Sequence, residues 1–250
     1  MKKKIKIQIL SDTHNFNFSI NEEADVVIHA GDFSNGLSGV YHFIKKCQDN
    51  NKDFIFCLGN HDYYQQKYTE VIDSFLKEYP ENFLCENNSI TKLGKTFVGG
   101  TLFTNFRENK DKSSTVKFSR KIAKESINDF RLILYKQRLI SPRNYRDLFN
   151  KTYQNILKYK DKEDVVVVTH FPPHISCLDP FWGNHPQTKV LNPYFINDVD
   201  ISGFKYWIAG HTHTAVDTVV DDCRIIINPF GYPNEQLKGN GFRSNLIIEI

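Results

Sequence analysis

The run Asp53-Phe54-Ile55-Phe56-Cys57-Leu58 leads directly into Gly59-Asn60-His61-Asp62. The apolar part reads as a buried strand. A strand that stops at glycine and then presents three polar, chemically able side chains is delivering a site. Asn60 can give a carbonyl oxygen to a metal. His61 can exchange a proton near neutral pH, and Asp62 can orient that imidazole. Gly-Asn is also a common turn dipeptide, so the weight comes from four more stretches with the same layout. Ile5, Ile7 and Ile9 alternate with Lys6 and Gln8 up to Leu10, then stop at Ser11-Asp12-Thr13-His14-Asn15. Asp25 to Ala30 stops at Gly31-Asp32, and the all-valine run Val165 to Val168, the mark of a strand buried on both faces, stops at Thr169-His170. Tyr206 to Ala209 stops at Gly210-His211-Thr212-His213.

Helical patterns separate the early strands. Leu37, Val40, Tyr41, Ile44 and Cys47 recur at helical spacing, with Ser34, Asn35 or Ser38 as N-caps. Val71, Ile72, Phe75 and Leu76 mark a second helix, closed by Pro80. Strand and helix alternating at this rhythm implies parallel pairing with crossover helices. Ser89 to Leu93 and Thr96 to Val98 read as a hairpin, and Thr104 to Lys117 as loop. From Ser119 to about Leu139, Ile122, Ile127, Phe130, Ile133 and Leu134 give one apolar helical stripe. Ser141-Pro142 then starts another helix, carrying Tyr145, Leu148, Phe149, Thr152 and Ile156. Core packing is the reading of both stripes. Thr218 to Val220, Arg224 to Ile227 and Leu246 to Ile250 are further strands. No linker, repeat or low-complexity tract divides the chain, so one domain over 1–250 is expected, with a helical segment at about 118–160.

Composition excludes several classes. Of the 250 residues, 40% are hydrophobic and 24% charged, an ordinary globular balance. A net charge of +3 is too mild to imply nucleic-acid binding. The five cysteines form no C-x-x-C pair, which argues against a thiolate zinc site or a disulfide scaffold and for reduced thiols in the cytoplasm. Lys2-Lys3-Lys4 is followed by only a short, polar-interrupted run, so it reads as a solvated strand entry rather than a leader. No stretch approaches a membrane span.

Asp12, His14, Asp32, Asn60, His61, His170, His211 and His213 thus stand at five strand ends. A nitrogen and oxygen donor set without thiolates suits Mn, Fe or Zn. In Asp-x-His and His-x-His, residues two apart on an extended segment point the same way, so either pair can grip one ion. There are too many donors for one tetrahedral ion and about enough for two. Taken alone, each Asp is equally a turn or cap residue and each His a hydrogen-bonded core residue. Their recurrence at strand ends speaks against that. His29, inside a strand, reads as structural. His42 reads as surface, and His174 and His185 as loop.

The ordered set Asp12-Thr13-His14, Gly31-Asp32, Gly59-Asn60-His61-Asp62, Thr169-His170 and Gly210-His211-Thr212-His213 resembles the calcineurin-like metallophosphoesterase superfamily, over most of the chain. The resemblance implies a four-layer α/β/β/α sandwich with two mixed central sheets. It implies two divalent transition-metal ions (Mn, Fe or Zn). Asp12, His14 and His213 would hold one, Asn60, His170 and His211 the other, and Asp32 would bridge them. It further implies in-line attack of metal-bound hydroxide on a phosphodiester or phosphomonoester, with His61, oriented by Asp62, serving the leaving oxygen.

Serine/threonine phosphatases follow the Gly-Asp motif with an aspartate-arginine pair. Here Phe33-Ser34-Asn35 follows, which argues against protein dephosphorylation. Gly99 to Thr104 and Asn228-Pro229-Phe230-Gly231-Tyr232 are similar to an uncharacterised bacterial and phage branch. Its members often carry arginine where Phe230 stands. Asn15 and His174 remain as substrate-phosphate contacts. A small phosphorylated, nucleotide-like molecule is the expected substrate, in the cytoplasm and without a membrane partner. A nuclease is the alternative, with a nucleic-acid partner on the basic face between Arg107 and Lys160. A non-catalytic binding protein is the third reading.

Overall fold

The apolar runs marked as strands all become strands, and the alternation of parallel strand and helix gives two sheets. The structure is a computed structural model and describes residues 4–108 and 110–250. In chain order the elements are β1 (Lys6–Leu10), β2 (Val26–Ala30), α1 (Ser38–Asp49), β3 (Asp53–Cys57), α2 (Tyr68–Glu78), β4 (Ser89–Lys92) and β5 (Lys95–Gly100). Then come α3 (Ser113–Ser126), α4 (Asp129–Leu132), a small hairpin of β6 (Leu134–Tyr135) and β7 (Arg138–Leu139), and α5 (Pro142–Leu157). The last part holds β8 (Val165–Thr169), α6 (Pro180–Asn184), α7 (Asn192–Phe195), β9 (Tyr206–Ala209), β10 (Val216–Val220), β11 (Cys223–Ile227), α8 (Pro233–Gln236) and β12 (Ile247–Glu249).

One sheet has the order β12-β1-β2-β3 and the other β10-β11-β9-β8-β5-β4. β1, β2 and β3 run parallel, as do β5, β8, β9 and β11, while β12, β4 and β10 pair antiparallel at the edges. Both sheets are therefore mixed. Alternate residues face opposite sides of a strand. Ile7, Ile9, Val26, Ile28 and Ile55 meet Val166, Val168, Ile208 and Ile226 between the sheets. On the outer face of the first sheet, Val27, Phe54 and Phe56 receive Val40, Phe43 and Ile44 of α1 and Val71 and Phe75 of α2. On the outer face of the second, Val165, Val167 and Trp207 receive Phe149 and Ile156 of α5. This is the four-layer α/β/β/α sandwich. All five cysteines are buried and unbonded, and burial pushes the Cys47 thiol up to about 12. Among the described residues no helix is long and apolar enough to cross a membrane.

Two sequence expectations are corrected. The stripe from Ser119 to Leu139 is not one helix: α3 begins earlier, at Ser113, and Ile127 is extended (φ −90°, ψ 133°). Only the four residues of α4 resume the helix before the hairpin. Asn128-Asp129 offers a turn, and the Asp129 side chain is buried. In α1, Tyr41 is 43% exposed and Phe43 takes the core position. Ser141 does cap α5: its Oγ accepts the Asn144 amide at 3.2 Å and Asn144 Oδ1 accepts the Ser141 amide at 3.0 Å. Lys2 and Lys3 lie outside the described residues; Lys4 is exposed and pairs with Glu249 at 2.9 Å.

Candidate metal centre

Because β1, β2, β3, β8 and β9 run parallel within their sheets, their carboxyl ends can deliver side chains to one edge. Turning out of each strand requires unusual backbone. Asp12, His14, Asp32, His211 and His213 all have left-handed φ, from +44° to +73°. Such conformations cost about 1–3 kcal/mol each for non-glycine residues and persist where surrounding structure enforces them. Two glycines permit the close approach. A β-carbon on Gly31 (φ +83°) would lie 2.7 Å from His170 Nδ1, and one on Gly59 would lie 2.1 Å from Asp32 Oδ1.

The side chains converge as two groups that share one carboxylate. Donor atoms of Asp12, His14, Asp32 and His213 lie within 4.8 Å of one another, as do those of Asp32, His170 and His211. Asn60 joins the second group, its Oδ1 being 3.1 Å from His170 Nε2. Asp12, Asp32, Asn60, His170 and His211 are buried. The His14 and His213 rings are partly open, so the centre is reached from their side.

The donor set fits cations. His170 Nδ1 donates to the Ala30 carbonyl at 2.8 Å. Its Nε2 faces Asn60 Oδ1 at 3.1 Å, His211 Nδ1 at 3.2 Å and Asp32 Oδ2 at 3.3 Å, and offers a lone pair there to a cation that displaces its proton. In the first group, His14 Nε2 and His213 Nε2 face each other at 3.0 Å, and His213 Nδ1 lies 2.7 Å from Glu235 Oε2. Hydrogen bonds on the outer nitrogen fix the tautomer that leaves the inner one free to ligate. Burial disfavours the His170 imidazolium, yet the charge and hydrogen bond of Asp32 raise its pKa to about 9. Burial likewise opposes ionisation of Asp32, but facing His170 and His61 hold its carboxyl well below the usual range. Burial pushes His14 down to about 3. It also holds His211 neutral, and the His211 Nε2 has no hydrogen-bond partner among the described residues.

His61 borders this cluster, with Nε2 4.0 Å from Asp32 Oδ2 and its ring 5.0 Å from that of His14. Its orienting partner is not Asp62. The His61 Nδ1 lies 2.8 Å from Asn35 Oδ1, an acceptor, so Nδ1 carries the hydrogen and Nε2 faces the centre. Asp62 is fully buried and accepts the backbone amides of Gly59, Asp32, Phe33 and Ser34 at 2.8–3.2 Å. It holds the Asp32 loop against the Asn60 loop. Among the described residues neither expected phosphate contact makes a side-chain hydrogen bond to the cluster. Asn15 is exposed, and the described partners of His174 are Ser176 and Asp198. Phe230 stacks on Phe16, with centroids 4.9 Å apart. His29 lies in the core against Phe33 and Thr13.

Sequence patterns did not single out Asn35, Glu235 or Tyr232 for the site, although the Tyr232 ring stacks on His14 at 4.5 Å. Pro233 opening a helix with Glu235 in its first turn was the one signal for that carboxylate.

The family model for calcineurin-like phosphoesterases matches residues 5–215. The chain belongs to that family. An uncharacterised protein of Acanthamoeba polyphaga mimivirus is 27% identical over 248 residues, covering 88% of this chain and 82% of that protein. Among solved structures, a phosphopantetheinyl hydrolase from Mycobacterium tuberculosis superposes with a TM-score of 0.71 at 15% identity, over 100% of this chain and 97% of the other. A dimetal phosphatase from Danio rerio superposes at 0.51 and 12% identity, over 89% and 86%. As a member of the family, this calcineurin-like phosphoesterase is a metal-dependent phosphoric ester hydrolase.

Proposed function

We propose that this phosphoesterase binds two divalent ions, Mn(II) being suitable in vitro, and hydrolyses a small phosphorylated molecule of nucleotide-like size. The observation that carries the reading is the pair of donor groups that share Asp32. Asp12, His14 and His213 would hold one ion, Asn60, His170 and His211 the other, with Asp32 between them. Ions so held supply Lewis acidity and acidify water.

The rest falls to side chains. Asn35 holds His61 through Nδ1 with Nε2 toward the centre, so that Nε2, when the ring carries its second proton, can give that proton to the leaving oxygen. The buried residues keep water from the far side, and substrate approaches over His14, His61 and Tyr232. The ion pairs of Asp12 and Asp32 among the described residues are all with histidine. With Phe230 where an arginine often stands, phosphate meets little fixed positive charge from the chain. That favours a singly charged diester over a doubly charged monoester. A nuclease gains no such support: on the basic face Arg107 pairs with Asp198, Arg120 with Glu108 and Arg146 with Asp147, so part of its charge is already compensated.

The test compares bis-p-nitrophenyl phosphate with p-nitrophenyl phosphate on Mn(II)-loaded protein, with Asp32→Asn as control. Faster diester turnover that vanishes in the variant is expected. Full activity of Asp32→Asn would sink the reading.

A further inference from the structure

Asp129 opens the short α4, and its carboxylate is fully buried. Four neutral donors meet it. Asn60 Nδ2 at 3.0 Å and the Tyr64 hydroxyl at 2.7 Å donate to Oδ1. The Tyr145 hydroxyl at 2.6 Å and the Tyr194 hydroxyl donate to Oδ2. The tyrosines come from three places: the turn after His61, α5 and α7. Burying a carboxylate is costly unless hydrogen bonds satisfy it, and core packing alone would be served as well by an apolar residue.

The chemistry of Asn60 supplies a reason. An amide has two faces of nearly equal shape, one a carbonyl acceptor and one an NH2 donor. Only the carbonyl can ligate a cation. If the amide were flipped, Nδ2 would point at His170 Nε2, where the carbonyl oxygen now lies at 3.1 Å. A carboxylate behind the amide can only accept, so it selects the orientation that aims Oδ1 at the centre. The three phenols hold that carboxylate in place. We propose that Asp129, buttressed by Tyr64, Tyr145 and Tyr194, is the positioning residue that fixes the Asn60 amide in the one orientation able to hold the second ion. This rests on the two-ion reading above.

The test measures Mn(II) binding to the full chain by equilibrium dialysis, together with low-temperature EPR, which distinguishes an exchange-coupled ion pair from isolated ions. In Asp129→Asn, the new NH2 can donate to a flipped Asn60. The second ion should then bind about 10–100-fold more weakly, the first should be unchanged, and the coupled signal should give way to that of isolated Mn(II). The double variant Asn60→Asp with Asp129→Asn restores an oxygen ligand backed by a donor. It should recover the coupled pair. Equal affinities for both ions in wild type and folded Asp129→Asn would overturn the proposal while leaving the two-ion reading intact. So would equal weakening of both ions with no rescue, which marks a purely structural residue. A wild-type protein that binds fewer than two ions would instead remove the two-ion reading and the proposal with it. If Asp129→Asn does not fold, Tyr145→Phe and Tyr194→Phe carry the same test. A smaller loss confined to the second ion supports the proposal, and an unchanged second ion in both overturns it.

Discussion

His61 and Asp62 are neighbours in sequence with opposite duties. His61 keeps its inner nitrogen toward the centre at the edge of the cluster, so His61→Ala should lower turnover about 10²–10⁴-fold with metal binding retained and the protein folded. Asp62→Ala should do the reverse. It strips four backbone amides of their acceptor, each costing about 1–3 kcal/mol if left buried and unpaired. Urea unfolding should show a severe loss of stability, or no folded protein at all. An Asp62→Ala protein of normal stability would contradict its duty as an amide acceptor. The convergence of Asp12, His14, Asp32, Asn60, His170, His211 and His213 was legible in sequence because each ends an apolar strand. The role of Asp62 was not, because a carboxylate that orients an imidazole and one that gathers amides leave the same mark at that position. Asn35, Asp129 and Glu235 act across long sequence distances, and no spacing rule links them to their partners.

At the level of elements, strands were readable and the helical segment was only partly so. Strand runs such as Val165 to Val168 owe their state to burial on both sides, which composition records. The stretch from Ser119 to Leu139 has a helical period throughout, yet it breaks at Ile127 and again at Ile133. The gain from burying Phe130 and seating Asp129 among its donors outweighs the periodic preference. Where local chemistry and tertiary demand agree, as at Ser141-Pro142, the boundary was readable to the residue. Ser141→Ala removes one half of the reciprocal cap and should cost about 1 kcal/mol, read as a lower urea midpoint with unchanged slope. No change in midpoint would mean that α5 is held by its packing on the second sheet alone.

For the whole molecule, the donors divide between the sheets. Asp12, His14, Asp32 and Asn60 follow strands of the first, and His170, His211 and His213 follow strands of the second. Bound ions would join the sheets at one edge, where the protein itself supplies the His170–Ala30 and His211–Asp12 hydrogen bonds. We take the chain as one cooperative unit. Thermal unfolding should be a single transition, raised by Mn(II) and lowered by a chelator. Free ion at 100 times its dissociation constant adds about 2.7 kcal/mol. Two separated transitions, with only one sensitive to metal, would contradict this.

The split also has a consequence in time. His211 is made 199 residues after Asp12, whose carboxylate accepts its amide. At synthesis rates of about 5–20 residues per second that interval is about 10–40 s. The strand that pairs with β1 through Ile7 and Ile248 comes later still. For most of that interval Asp12, His14, Asp32 and Asn60 are without the histidines of the second sheet, of which His170 comes first and His211 and His213 last. An ion captured then would be chosen by an oxygen-rich half-set. The nitrogen donors that favour a transition metal arrive last, so the choice of ion belongs to the finished fold and not to the growing chain.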